Sequence, residues 1–208
     1  DLLKFSGKSL NHLHKYNNFK FIKGDVRNKK LIKELIKENE FIIPLAALVG
    51  APLCEKKKKE AISVNLESIK HLMSNLNKKS KVIYLTTNSG YGIGEKNKYC
   101  DEKSILNPIS LYGRTKVDAE KTVMKHKNSI GFRLATVFGY SYRMRTDLLV
   151  NNFVYNSLKF KKIKIFEPHF RRNYIHVDDV VDGILYSIIN FKSLKSEIYN
   201  LGLSSANL

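Results

Sequence analysis

Lys81–Thr87, KVIYLTT, decides how the rest of the chain is organised. Its β-branched, aromatic and leucine residues lack the polar alternation of a half-exposed strand, so both faces must be covered, as in the centre of a parallel sheet. Parallel neighbours need crossover segments, and helical patterns lie on either side. Upstream, residues 55–76, EKKKKEAISVNLESIKHLMSNL, predict a helix. Downstream, a loop leads to a second helix from about Ile109 to His126, and SIGFRLATVFG over 129–139 follows as a strand. Nearer the start, FKFIKGD (19–25) reads as a strand closing in a Gly-Asp turn, and FIIPLAA (41–47) as a buried strand. Between them NKKLIKELIKEN (28–39) is an amphipathic helix with Leu31, Ile32, Leu35 and Ile36 on its buried stripe. This alternation predicts an α/β fold: a doubly wound parallel sheet with helices on both faces.

Beyond Gly139 the rhythm loosens. TDLLVNNFVYNSLKF (146–160) is helical in pattern, KIKIF (162–166) holds a short strand, RRNYIHV (171–177) is strand-like, and DDVVDGILYSIIN (178–190) is a helix. Asp178 or Asp179 is the expected cap of that helix. The expected organisation is a main doubly wound portion over 1–136, to which 174–192 returns, with a small lobe formed by 137–173 and 193–208.

Asn107–Lys116, NPISLYGRTK, places a tyrosine one helical turn before a lysine. Side chains four apart share a helical face, so the Lys116 ammonium reaches the neighbourhood of the Tyr112 phenol. A nearby cation favours phenolate and would make Tyr112 an acid/base group near neutral pH. The same pattern also suits a solvated lysine beside a surface tyrosine.

The 208 residues carry a formal charge of +18, with 43% hydrophobic and 11% aromatic residues, enough apolar content for a core. Such a charge invites a nucleic-acid reading. However, the lysines are spread through almost every segment, and Lys56–Lys59 is flanked by glutamates as on a solvated helix face, so no nucleic-acid partner is expected. Cys54 and Cys100 are far apart, without a CxxC or a histidine at metal spacing, so neither a disulfide framework nor a metal site is indicated and a cytoplasmic setting is expected. The longest apolar run, Phe41 to Cys54, is interrupted by Pro44 and Pro52 and is too short to span a bilayer.

Several motifs now stand in order: GDVRN at 24–28, LAALVG at 45–50, Asn65, TTNSGYG at 86–92, YGRTK at 112–116 and RRNYIHVDDV at 171–180. In this order the chain resembles the extended short-chain dehydrogenase/reductase family, in its NAD-dependent nucleotide-sugar epimerase/dehydratase branch, from Asp1 to Leu208. The resemblance implies a Rossmann-like domain with a small substrate lobe, NAD as cofactor, a nucleoside-diphosphate sugar as substrate, and a homodimer through the helices near 55–76 and 109–126. It implies that Thr87, Tyr112 and Lys116 are catalytic, Thr87 being the hydroxyl four residues before Tyr91 in the S/T-x-x-x-Y-G pattern. The 25 residues from Thr87 to Tyr112 match the interval of UDP-galactose 4-epimerases.

By the same resemblance, Asp1 holds the adenosine ribose and Asp25 and Val26 meet the adenine. Leu45, Ala46 and Ala47 line the cofactor, and Asn65, Tyr112 and Lys116 complete its site. Thr87, Asn88, Asn151, Asn152, Phe166 and Arg172 are the expected substrate contacts, Arg172 suiting a phosphate through its guanidinium fork. The branch's 4,6-dehydratases place Asp-Glu directly after the strand-end hydroxyl, where this chain has Asn88-Ser89, so dehydration is disfavoured. Thr136 stands where many relatives carry asparagine, which leaves the sugar open.

The glycine fingerprint that holds a pyrophosphate at a helix N-terminus is not in these 208 residues; Gly90, Gly92 and Gly94 follow the Thr87 strand instead. The chain is therefore expected to be an internal fragment, lacking the first βαβ portion and part of the lobe, that binds NAD poorly by itself. The expected whole is a 4-epimerase-like enzyme that oxidises a sugar carbon by hydride transfer to NAD and takes the hydride back on the other face. A 4-keto reductase with the same residues and a noncatalytic NAD-binding relative are the alternatives.

Overall fold

In the computed structural model, residues 1–4, 7–93, 99–165 and 172–203 are described. β2 (Lys81–Thr87) lies inside a four-stranded parallel sheet ordered β1-β2-β3-β6, with β1 at Phe41–Ile42, β3 at Ser129–Leu134 and β6 at Ile198–Leu201. Successive β2 side chains go to opposite faces. Val82 and Tyr84 pack with Ile69 of α4 (Ser68–Ser74) and with Ala119 and Val123 of α5 (Leu111–Val123). On the other face Ile83 joins Ile130 and Phe132 of β3 against α7 (Val177–Ile189) and Phe191 of α8 (Phe191–Leu194). Val82, Ile83 and Ile130 are fully enclosed, each stabilising the fold by about 1.5–3 kcal/mol. The parallel sheet covered on both faces agrees with the α/β expectation.

The strand expected over 129–139 divides at Ala135. Its amide still donates to the Leu201 carbonyl at 2.9 Å, but Thr136 turns to the Asn173 carbonyl, 3.0 Å away. From there β4 (Thr136–Phe138) pairs in parallel with β5 (Tyr174–His176) as a separate two-stranded sheet. β6 pairs with β3, so Ile198–Leu201 lies in the main sheet.

The helices start where polar caps precede apolar patterns. Asn28 accepts from the Leu31 amide at 3.1 Å to begin α1 (Lys29–Glu38), and Ser110 accepts from the Gly113 amide at 3.1 Å to begin α5. The helix expected from 55 begins earlier, at α2 (Ala51–Lys56), because Pro52 is compatible with a first helical turn. It breaks at Lys57, resumes as α3 (Lys58–Ile62), and widens over Ser63–Glu67 before α4. α6 (Leu149–Phe160) matches its pattern. α7 is capped by His176, whose Nδ1 accepts from the Asp178 amide at 3.3 Å; Asp178 and Asp179 sit in the first turn instead, favourable to the helix dipole.

Three strand expectations are corrected. Residues 19–25 form no ladder: Asp1 donates to the Ile22 carbonyl and accepts from the Gly24 amide, but Leu3 turns away at φ 51°, so the pairing does not propagate. The 41–47 strand stops at Ile42, since Pro44 has no amide to donate, and Leu45 is 64% exposed rather than buried. Of the 162–166 strand, Ile163 and Ile165 are exposed and outside regular structure; Phe166 lies outside the described residues. Among the described residues no helix is long and apolar enough to cross a membrane.

Candidate functional site

Thr87 ends β2 at the sheet's C-terminal edge, where parallel α/β sheets place their ligands. Its Oγ1 accepts from the Ser89 amide at 3.1 Å and starts a tight turn over Asn88–Gly90. The N-terminus of α5 closes on this turn through Gly113, where a Cβ would come within 3.1 Å of the Ser89 carbonyl oxygen and 2.9 Å of the Pro108 Cβ. Tyr112, the second residue of α5, packs against the buried cluster of Leu48, Cys54, Ala61 and Val64, as Leu111 and Val26 also do.

The Tyr112 phenol is pushed up to about 12, chiefly by burial; the Thr87 hydroxyl and, more weakly, the Arg145 guanidinium pull the other way. The Thr87 hydroxyl and the Tyr112 phenol thus lie within reach of each other. The Lys116 ammonium is directed to the sheet, donating to the Leu85 carbonyl at 2.7 Å and lying 4.2 Å from the centre of the Tyr84 ring. Burial lowers it to about 8, opposed by the negative charge of Glu120. The Lys116 ammonium is thus engaged by the Leu85 carbonyl and the Tyr84 ring, while the Thr87 hydroxyl and the Arg145 charge favour the ionised Tyr112 phenol.

The remaining expected contacts divide into two groups. Val26 reaches the Tyr112 cluster, and Leu45 and Ala46 lie exposed on the segment after β1, with Ala47 half-buried. Asn65 is buried, and its amide is fully engaged: Oδ1 accepts from the Leu48 amide at 2.8 Å and Nδ2 donates to the Leu48 carbonyl at 2.9 Å. It thus braces the segment behind Ala46 and Ala47. Asp25 holds Arg27 at 2.6 Å, which brings its carboxyl down to about 2. The Asp1 carboxylate accepts from the Leu3 amide.

Asn88 is half-buried in the turn after Thr87. Asn151 accepts from the Gly139 amide and donates to the Arg145 carbonyl, both at 3.2 Å, while Asn152 donates to the Thr146 carbonyl at 2.8 Å. Both asparagines brace the 139–146 loop that carries Arg145. Arg172 is exposed just before β5.

Three residues near the pair were not singled out by the sequence. Arg145 stands beside Tyr112 while bonding Asp147 through two nitrogens, at 2.7 and 2.6 Å. Glu120 and Arg133 form a buried pair behind Lys116. Their signals were present: Glu120 continues the four-residue spacing from Tyr112 through Lys116, and Arg133 interrupts an otherwise apolar strand.

The family model for the NAD dependent epimerase/dehydratase family matches residues 4–202. The chain belongs to that family. It is 31% identical to an uncharacterized protein of Methanocaldococcus jannaschii, over 92% of this chain and 61% of the relative. It is 27% identical to a dTDP-D-glucose 4,6-dehydratase of Dictyostelium discoideum, over 89% of this chain and 46% of the relative. It also resembles the crystal structure of UDP-glucuronic acid 4-epimerase from Bacillus cereus in complex with UDP-glucuronic acid and NAD, with a TM-score of 0.80, 25% identity and coverage of 93% of this chain and 63% of that one. The chain thus spans between 46% and 61% of the length of the two sequence relatives.

The sheet edge fits a dinucleotide in part. Exposed Leu45 and the small Ala46 leave the backbone approachable, and the Tyr112 and Lys116 side chains approach the edge from α5. The residues that would cradle a pyrophosphate in a glycine turn are not in this sequence.

Proposed function

We propose that the protein containing this chain is an NAD-dependent nucleotide-sugar epimerase, 4-epimerase-like, with Thr87, Tyr112 and Lys116 as its catalytic residues. The observation that carries this reading is the adjacency of the Thr87 hydroxyl and the Tyr112 phenol at the sheet edge, with Lys116 on the same face of α5. NAD, when bound, accepts hydride from the sugar carbon and returns it.

The chain's own residues handle the proton and the position of the sugar. Tyr112 takes the proton from the sugar hydroxyl and later gives it back, a general base and then a general acid. A phenol held near 12 needs help to ionise, so the Thr87 hydroxyl, shared between the phenol and the sugar oxygen, holds both in line. Lys116 contributes positive charge beneath the site and stands where a nicotinamide ribose would meet α5. Asp25, Val26 and the 45–47 segment serve the adenosine end, and Asn151, Asn152 and Arg172 the nucleotide-sugar lobe. A homodimer through the helices around 55–76 and 109–126, in the cytoplasm, completes the reading. A dehydratase is not favoured, since Asn88-Ser89 supplies no carboxyl after Thr87.

Proton NMR of the full-length protein with UDP-, GDP- and dTDP-sugars and catalytic NAD tests the reading. Inversion at one sugar carbon without accumulating NADH supports it. Stoichiometric consumption of NAD(P)H with a 4-keto sugar would make the protein a reductase, and no reaction in either assay would make it a noncatalytic relative.

A further inference from the structure

Two elements bring the proposed catalytic residues together: Thr87 comes from the end of β2, and Tyr112 and Lys116 come from the first two turns of α5. Something must set the distance between them. Arg133, on the neighbouring strand β3, bonds to both. Toward α5, its Nη2 donates to Glu120 Oε1 at 2.7 Å and its Nε lies 3.2 Å from each carboxylate oxygen. Toward the segment that leaves Thr87, its Nη1 donates to the Tyr91 hydroxyl at 2.9 Å and to the Glu102 carbonyl at 3.0 Å. Tyr91 in turn donates to Asn200 Oδ1 on β6 at 2.6 Å, and the Asn200 amide donates to Glu102 Oε1 at 2.6 Å.

The side chains of Arg133 and Glu120 are 5% and 3% exposed. Buried ion pairs seldom stabilise a fold more than apolar residues of the same volume would. The pair's value must then lie in what it fixes. Tyr112, Lys116 and Glu120 follow at intervals of four residues and share one face of α5. Holding Glu120 therefore sets the rotation of the face that carries the other two.

We propose that Arg133 and Glu120 are positioning residues that fix α5 against the turn after Thr87, and so fix the Tyr112 phenol and the Lys116 ammonium relative to the Thr87 hydroxyl. The claim rests on the proposed epimerase reading for its effect on turnover. Among the described residues, the groups that meet Lys116 are the Leu85 carbonyl and the Tyr84 ring on β2 and Glu120 on its own helix, with Arg133 on β3 behind Glu120. With both ends of the pair removed, Lys116 loses the Glu120 carboxylate, which favours its protonated form.

The test is the full-length double variant Arg133→Met/Glu120→Leu, which removes both charges of the pair together, compared with Arg133→Lys and with the natural protein. Two quantities are read: kcat and KM for epimerisation, and the titration of Lys116 by lysine 13Cε NMR, assigned by its loss in Lys116→Met. In a double variant that still unfolds cooperatively, kcat falls about 100-fold while KM stays within about twofold, the pattern of misplaced reacting groups. Arg133→Lys remains impaired, since an ammonium cannot fork to Glu120 and Tyr91 together. The Lys116 titration moves below about 8. A kcat within about twofold of the natural protein, or an unmoved Lys116 titration, overturns the proposal. If the natural protein turns over no nucleotide sugar, the epimerase reading fails and the Lys116 titration alone decides the positioning claim.

Discussion

The Lys116 ammonium donates to the Leu85 carbonyl at 2.7 Å, so the residue one turn beyond Tyr112 is bonded to the strand two residues before Thr87. Burial brings this lysine from an ordinary 10.5 to about 8. Between those values the unfolded chain binds a proton that the folded one releases, so stability rises with pH over that window, by about 3 kcal/mol in full. Below pH 8 both forms are protonated and the gain is absent. Tyr112, raised from 10 to about 12, acts oppositely above pH 10, where the unfolded phenol ionises first. Urea midpoints at pH 7, 8.5 and 9.8 should therefore climb in the natural protein and stay flat in Lys116→Met; parallel curves would refute this.

Asn65→Leu is expected to destabilise the fold by about 2–4 kcal/mol, because the Leu48 amide and carbonyl would both lose their buried partner. Asn65→Asp, which keeps the acceptor, should cost less. Denaturant unfolding of the two variants checks the order, and equal losses would mean that the Asn65 bonds do not carry the effect.

Much of the frame was legible in the sequence. KVIYLTT was read as a central strand because only a doubly covered strand tolerates such a run, and Asn28 and Ser110 precede apolar helical patterns that their side chains cap. The short strands were not legible. Whether 19–25 or 41–47 forms a ladder depends on its neighbour, and Leu3 and Pro44 end pairings that residue type alone suggested. In the site, the sequence placed Tyr112 and Lys116 on one face but not the direction of the ammonium, which is set by a carbonyl and a ring on β2. The Arg133–Glu120 pair joins a strand to a helix, and only their packing brings it together.

Asp25→Asn probes the Asp25–Arg27 pair. Arg27 holds the Asp25 carboxyl at about 2 rather than 3.8, so the pair stabilises the fold above pH 3.8 and the contribution is lost as the pH falls through 2. The pair is part-exposed, and its loss should cost less than about 1 kcal/mol at neutral pH. Thermal melts of both proteins should differ at pH 6 and converge near pH 2; a constant gap would assign the effect to something other than charge.

Thr87→Val should lower kcat about 100-fold, the scale for removing one hydroxyl that orients a reacting oxygen, with KM little changed. Thr87→Ser keeps the hydroxyl and should retain most turnover. Steady-state kinetics of the full-length variants decides; equal kcat for Val and Ser would show that the Thr87 hydroxyl plays no part in turnover, either directly or through its bond to the Ser89 amide.

The central claim is that Tyr112 exchanges a proton with a sugar hydroxyl while the hydrogen on the adjoining carbon leaves and returns within one site. The direct measurement uses a nucleotide sugar deuterated at the carbon to be inverted, incubated with the full-length protein and NAD and followed by NMR. The account predicts inversion with the deuterium retained on the same carbon, and none in Tyr112→Phe. Deuterium exchanged for solvent hydrogen, or inversion that persists in Tyr112→Phe, would contradict it.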